Sequence, residues 1–215
     1  MTSRLLKKEF VLAMHPTVPL FLAMAAMVLI PNYPFTVIFF YMTLGIFFTC
    51  LQGRENNDVF YSVSLPVEKR DIVKARLLFA CIVETAQIVL VSFFAMFRSQ
   101  AANAAGLDAN PALYGFAFIL FGLFNIVFFP AYYANLQKVG ITFIKATTIY
   151  FIASCLIEAS AFVVPFVKNE LDSVSSSALP YQLAVLASGI LLFALLSFAA
   201  YRLSAKRLSE HDIQP

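Results

Sequence analysis

Hydrophobic positions along this chain fall in six long runs. They do not alternate as in a half-buried strand, nor recur at i, i+3, i+4 as in a surface helix. The runs cover about residues 18–30, 35–51, 77–97, 112–136, 146–167 and 181–203. An α-helix rises about 1.5 Å per residue and a bilayer's hydrocarbon core is about 30 Å thick, so a run near 20 residues predicts one spanning helix. The expected fold is therefore all-α: a polytopic integral membrane protein of six transmembrane helices, with residues 1–215 as one transmembrane domain. The first run is short for a straight crossing. It is joined to the second by the turn Pro31-Asn32-Tyr33-Pro34, and the pattern leaves open whether this hairpin crosses fully. Ahead of it, Leu5, Leu6, Phe10 and Ala13 recur at helical spacing while Arg4, Lys7 and Lys8 face the other way. That predicts an amphipathic helix lying in the membrane interface, ended by a bend at Pro16 and Pro19.

Composition agrees with the pattern. The chain is 61% hydrophobic and 13% charged, where soluble domains are nearer a quarter charged. Six spans use up the length and leave no room for a soluble enzyme domain. The three cysteines, Cys50, Cys81 and Cys155, lie inside apolar runs and read as small hydrophobes rather than as a metal or disulfide framework. A cleavable signal peptide is not expected, because no small-x-small cleavage site after the N-terminal basic stretch is followed by a soluble mature domain.

Charge sets the expected orientation. One side of a six-span layout receives Arg4, Lys7, Lys8, Arg54, Lys69, Arg70, Lys74, Arg76, Lys138, Lys145, Arg202, Lys206 and Arg207; the other receives only Arg98 and Lys168. Positive charge stays on the cytoplasmic side of a membrane, so both termini and the segment 52–76 are expected in the cytoplasm.

Little in the chain points to chemistry. Its two histidines, His15 and His211, are far apart in sequence, no Gly-x-Ser-x-Gly elbow is present, and no Gly-rich loop ends in Lys-Ser/Thr to cradle ATP. Neither catalytic nor metal-ligating residues are expected, and nothing suggests nucleic-acid binding. Two carboxylates do fall within spans, Glu84 and Glu158. Buried ionisable groups in a membrane are costly and mark function or a locked helix contact. Gln87, three residues after Glu84, shares its helix face. Glu84 and Gln87 fit equally a polar stripe along a substrate path or a helix-locking contact. Glu158, with Ser154 and Ser160 nearby, leans to the structural reading, and Asn125 reads as interhelical glue.

The remaining anomaly is the polar segment from Gln52 to Arg76. It holds Arg54, Glu55, Asp58, Glu68, Lys69, Arg70, Asp71, Lys74 and Arg76 between two apolar runs. Glu55-Asn56-Asn57-Asp58-Val59-Phe60-Tyr61-Ser62 can form two helical turns with Val59 and Phe60 as exposed apolar points. Pro66 then starts a new direction, and a basic-acidic helix leads into the third span.

In this segment the chain resembles the membrane (permease) subunits of type-2 ATP-binding-cassette exporters, in the branch of short six-helix permeases. The features that carry the resemblance are the Leu-Leu-Lys-Lys-Glu-Phe start, the acidic-polar stretch Glu55 to Asp58, and Ser-Leu-Pro-Val-Glu-Lys-Arg-Asp-Ile-Val-Lys-Ala-Arg entering the third span. Within that branch it is similar to the membrane subunits of bacterial exporters of cytolytic peptides such as phenol-soluble modulins.

The resemblance implies that the amphipathic start is an elbow helix and that Glu55, Asn57, Asp58, Val59, Phe60 and Tyr61 belong to a coupling helix. Val59, Phe60 and Tyr61 would anchor it in a cytoplasmic ATPase subunit, while Glu55 and Asp58 would meet that subunit's basic residues. It implies a working unit of two permease copies and two ATPases in a bacterial plasma membrane, with membrane lipid around it and ATP and Mg bound by the ATPase, so that this chain needs no cofactor. Nucleotide-driven motion would rearrange the first, second and fifth spans, and an amphipathic peptide or other hydrophobic substrate would leave the cell. The competing expectation is a stand-alone proton-coupled secondary transporter that uses Glu84 and Glu158 as relays.

Overall fold

The computed structural model describes residues 2–98, 103, 106–173 and 176–210. His211 and part of the connectors 98–111 and 168–180 lie outside these. Every regular element among the described residues is helical. Helix α1 spans Thr2–Lys8 and runs on as a π-helical stretch over Glu9–Ala13. Helix α2 spans Thr17–Ala23 and tightens into a 3-10 stretch over Met24–Leu29. The long helices are α3 (Phe35–Glu55), α5 (Lys69–Ala95), α6 (Pro111–Ala134), α7 (Val139–Val163) and α8 (Leu179–Glu210), with the short α4 (Asp58–Ser64) between α3 and α5.

Backbone chemistry explains the breaks. The α3–α4 reversal takes two residues because Asn57 adopts a left-handed conformation, φ 52°, which asparagine tolerates better than most side chains. Leu65, before Pro66, is extended, as the ring of a following proline demands. Val164 before Pro165 ends α7 in the same way. Helix α6 starts with Pro111 at its first position and with the Asn110 side chain accepting from the Leu113 amide at 3.1 Å. That is a cap and a preset φ together.

Among the described residues, five helices are each long and apolar enough to cross a membrane, with a sixth crossing if the α1–α2 pair, bent by 88°, counts as one broken span. The expected first span is thus the weak one. Its seven α-helical and six 3-10 residues rise only about 22 Å, against a core of about 30 Å. The helices also extend past the apolar runs. Helix α5 begins two turns earlier than residue 77, α7 begins at Val139 rather than near 146, and α8 continues to Glu210 rather than stopping near 203.

Helices α6 and α8 make the most extensive pair. Two glycines let their backbones touch: a Cβ on Gly189 would land on the Gly115 backbone, and one on Gly115 would land on the Val185 backbone. Small residues at such crossings replace the hydrophobic driving force that lipid cannot supply. Phenylalanines and tyrosines fill the interior, with Phe35, Phe39, Phe79, Phe121, Phe124 and Phe128 fully buried. Ile141, Ile144, Ile152 and Leu156 on α7 and Leu191, Leu195 and Phe198 on α8 are exposed, as suits faces turned to acyl chains.

Candidate functional site: a short helix pinned by buried charge

The charges of the polar segment are not all solvated. Arg76, in the third turn of α5, is 2% exposed, and so is Glu9 of the π-helical stretch after α1. Arg76 Nε pairs with Glu9 Oε2, and its Nη2 donates to Asp58 Oδ2 on α4 at 2.5 Å. The other Asp58 oxygen takes Lys8 Nζ at 2.5 Å. Lys8 Nζ also donates to Ser62 Oγ at 2.8 Å, and Ser62 Oγ donates to the Asp58 carbonyl at 2.8 Å. Arg76 Nη1 reaches Cys50 Sγ on α3 at 3.9 Å. Two cations and two carboxylates therefore close a balanced cluster that ties the elbow (α1 with its π-helical continuation), α4 and α5 together. Thr2 Oγ1, donating to Asp71 Oδ1 at 3.4 Å, adds a second tie between α1 and α5.

This geometry revises the expected face of α4. Val59, expected as an exposed anchor, is 4% exposed and belongs to the core. Phe60 is half-buried and lines a small groove with Gly53, Asn57, Tyr132 and Leu136. Only Tyr61 of the trio stands free, 65% exposed. Asp58, expected to meet a partner's basic residue, is engaged by Lys8 and Arg76 of its own chain. Consecutive helix residues point about 100° apart, so three adjacent apolar residues cannot share one outward face. Glu55 and Asn57 are exposed, and Glu55 Oε1 lies 3.4 Å from Arg54 Nη2. Beside Tyr61, a cleft of about 170 Å³ is lined by Lys8, Leu12, Gln52, Asn56 and Asp58.

The carboxylates expected within spans are placed in two distinct settings. Glu84 on α5 is fully buried, and its Oε2 accepts from Asn125 Nδ2 of α6 at 2.8 Å. The same Asn125 Nδ2 lies 3.3 Å from Ser197 Oγ of α8. Gln87 donates to the Ile38 carbonyl of α3 at 3.4 Å. Glu84, Gln87 and Asn125 thus link four helices through their side chains. No cation among the described residues pairs with Glu84. Glu158 on α7 sits at the opposite end of the bundle from Arg76 and accepts from the Leu107 amide at 3.1 Å. It fills the space beside Gly106, where a Cβ would overlap its carboxylate.

Around that end, Arg98 pairs with Asp108 at 3.3 Å and lies 4.9 Å over the Phe35 ring. The Asp108 amide donates to Asp172 Oδ1 at 2.7 Å. Burial, with Asp108 and Glu158 nearby, pushes the Asp172 carboxyl up to about 6.

Sequence reasoning missed Lys8, Glu9 and Arg76 as site residues, although a signal was present. Glu9 stands between Leu5 and Ala13 at four-residue steps, and Arg76 between Ile72 and Ala80 in the same way. Each is a charge set into an apolar stripe. The neighbours in both stripes are buried with it.

No curated protein and no solved structure matches the chain. The family model described as ABC-2 family transporter protein matches residues 4–207. The match takes in the elbow, the pinned α4 and all the long helices, so this chain belongs to the ABC-2 family of transporter proteins and is a membrane component of such a transporter.

Proposed function

We propose that this chain is the permease subunit of an ATP-driven exporter, with α4 as the helix that receives force from a separate cytoplasmic ATPase. The observation that carries the reading is an exposed tyrosine on a helix that cannot swing freely. Tyr61 projects outward, while Asp58, three residues earlier on the same helix, is held by Lys8 and Arg76. Aromatic side chains dominate the energy of protein contacts when they enter a partner's pocket. Tyr61 is the anchor, the exposed edge of Phe60 supports it, and Asn57 and Glu55 form a polar rim. ATP and Mg belong to the ATPase.

A push on Tyr61 does not stop at α4. Asp58 passes it to α5 through Arg76 and to α1 through Lys8, so the elbow, α4 and α5 move as one piece. Two copies of the chain with two ATPases form the working unit in a bacterial plasma membrane, with the basic end of the bundle and both termini in the cytoplasm. The connectors at the other end are short and apolar faces are open to lipid, which suits an amphipathic peptide or other hydrophobic substrate that enters from the membrane.

The test is Tyr61→Ala, alone and with Phe60→Ala. The variant chain should insert and melt as the wild type does, yet lose stoichiometric co-purification with the ATPase or lose transport-coupled ATP hydrolysis. Normal assembly and normal export by the double variant would overturn the assignment.

A further inference from the structure

A second cleft, of about 250 Å³, opens between α5 and α8, lined by Lys74, Leu77, Leu78, Cys81, Phe198 and Tyr201, with the buried Ser197 beside them. Its walls are hydrocarbon and aromatic. Leu78 and Phe198 are exposed, so the cleft faces outward, where acyl chains lie. An apolar cavity of about 150 Å³ accepts a benzene-sized guest, so this one has room for a stretch of acyl chain.

Its mouth is cationic. Lys74 is exposed and makes no ion pair among the described residues. Arg70 stands one turn before it, paired with Glu68 and within electrostatic range of Tyr201. Arg202 follows Tyr201 on α8 and is exposed too. The acidic group on the same turn, Asp71, accepts from Thr2 of α1. Long apolar walls below and an unpaired lysine above form a receptor for an amphiphile with a negative head.

We propose that the α5–α8 cleft is a specific site for one anionic phospholipid of the bilayer, its headgroup on Lys74 and one acyl chain along Leu77, Leu78, Cys81 and Phe198. A zwitterionic lipid offers the same chain but no net charge to Lys74, and a soluble anion offers no chain to the walls. The site stands independently of the coupling role of α4.

The experiment is native mass spectrometry of the full chain released from detergent, with equimolar phosphatidylglycerol and phosphatidylcholine. The wild type should retain one phosphatidylglycerol in about fivefold preference, the factor that one lysine near an anionic headgroup supplies. Lys74→Gln should bring the preference close to parity. The tail variant Lys206→Gln/Arg207→Gln, further along α8 than the mouth, should leave it in place.

A separate readout uses the wild-type cleft in a Cys155→Ser background. Bound phosphatidylglycerol should slow modification of Cys81 by a membrane-permeant maleimide about fivefold relative to phosphatidylcholine. The site is overturned by equal retention of the two lipids, by a preference that survives Lys74→Gln, or by one that vanishes with the tail variant. Cys81 protection that follows protein concentration rather than lipid type would instead assign the cleft to contact with a second copy and also overturn it.

Discussion

Removing Arg76 tests whether the internal charge cluster holds the elbow, α4 and α5 together. Arg76→Met keeps the length and packing of the side chain but takes away the cation that faces both Glu9 and Asp58. Lys8 can still answer Asp58 at 2.5 Å, but it is 3.7 Å from Glu9. One carboxylate, 2% exposed, is left inside without a close partner. Breaking a buried ion pair from one side costs about 3–5 kcal/mol. Asp58 is less enclosed than Glu9 and keeps Lys8, so the lower end applies, about 3 kcal/mol. For a chain of this size each kcal/mol moves the melting midpoint by about 2–4 °C, so the expected loss is about 6–12 °C.

Removing both charges, in Glu9→Gln/Arg76→Met, should recover most of that loss, because no unpaired charge then remains inside. Arg76→Lys should fall between, since a single ammonium cannot bridge two carboxylates as the guanidinium fork does. The assay is circular-dichroism melting of the full chain in one detergent, at two scan rates because membrane chains unfold irreversibly. Two results refute the reasoning. One is a midpoint for Arg76→Met within about 2 °C of wild type. The other is a double variant whose loss equals the sum of its single losses, which would mean that Glu9 and Arg76 are not coupled.

Other expectations follow from other parts of the fold. Gly189→Val should cost at least about 2 kcal/mol and reduce the monodisperse fraction in gel filtration, because its Cβ would strike the Gly115 backbone. Gly140→Ala, where no atom lies within 4 Å of the added methyl, should be neutral or gain up to about 1 kcal/mol. Glu84→Gln preserves an acceptor for Asn125 and should leave transport activity in vesicles within about twofold, whereas Glu84→Ala should cost about 1 kcal/mol in melting; loss of transport in the glutamine variant would show that the carboxyl itself is used. Asp172 has a folded pKa raised from 3.8 to about 6, so the fold favours its protonated form. Its contribution is therefore fully present below pH 3.8 and lost as pH rises towards about 6. Asp172→Asn should remove that part of the pH dependence, seen as a smaller difference in melting midpoint between pH 4 and pH 7 than the wild type shows.

The long helices were legible because each had to satisfy its own backbone in hydrocarbon, and only an unbroken apolar run does that without side-chain help. The helix ends were not, because the same hydrogen-bonded ladder continues into charged turns that hydropathy reads as loop. The first two turns of α5, Lys69 to Ala75, and the last of α8, ending at Glu210, are of this kind. The apolar trio of α4 was visible as composition but not as geometry. Its rotation is fixed by the left-handed Asn57 before it and by the partners of Asp58, two of which come from residues 8 and 76. Lys8 lies outside the polar segment and Arg76 at its far end, 18 residues from Asp58, so the pairing could not be read from the local pattern of α4.

The two polar ends of the bundle are built for different tasks. At the Arg98 end, Asp108, Asp172 and Glu158 are tied to backbone amides or to Arg98, and these contacts close loops onto helix tips. At the Arg76 end the ties run between separate helices, and one of those helices offers Tyr61 to the outside. An ion pair can transmit a pull along its axis while letting the helices it joins tilt against each other, which interlocked backbones such as Gly115 and Gly189 do not allow. The chain therefore places its rigid contact between α6 and α8 and its charge contacts between the elbow, α4 and α5. In the proposed coupling role, the elbow, α4 and α5 would move as a unit, and that unit carries the exposed Tyr61.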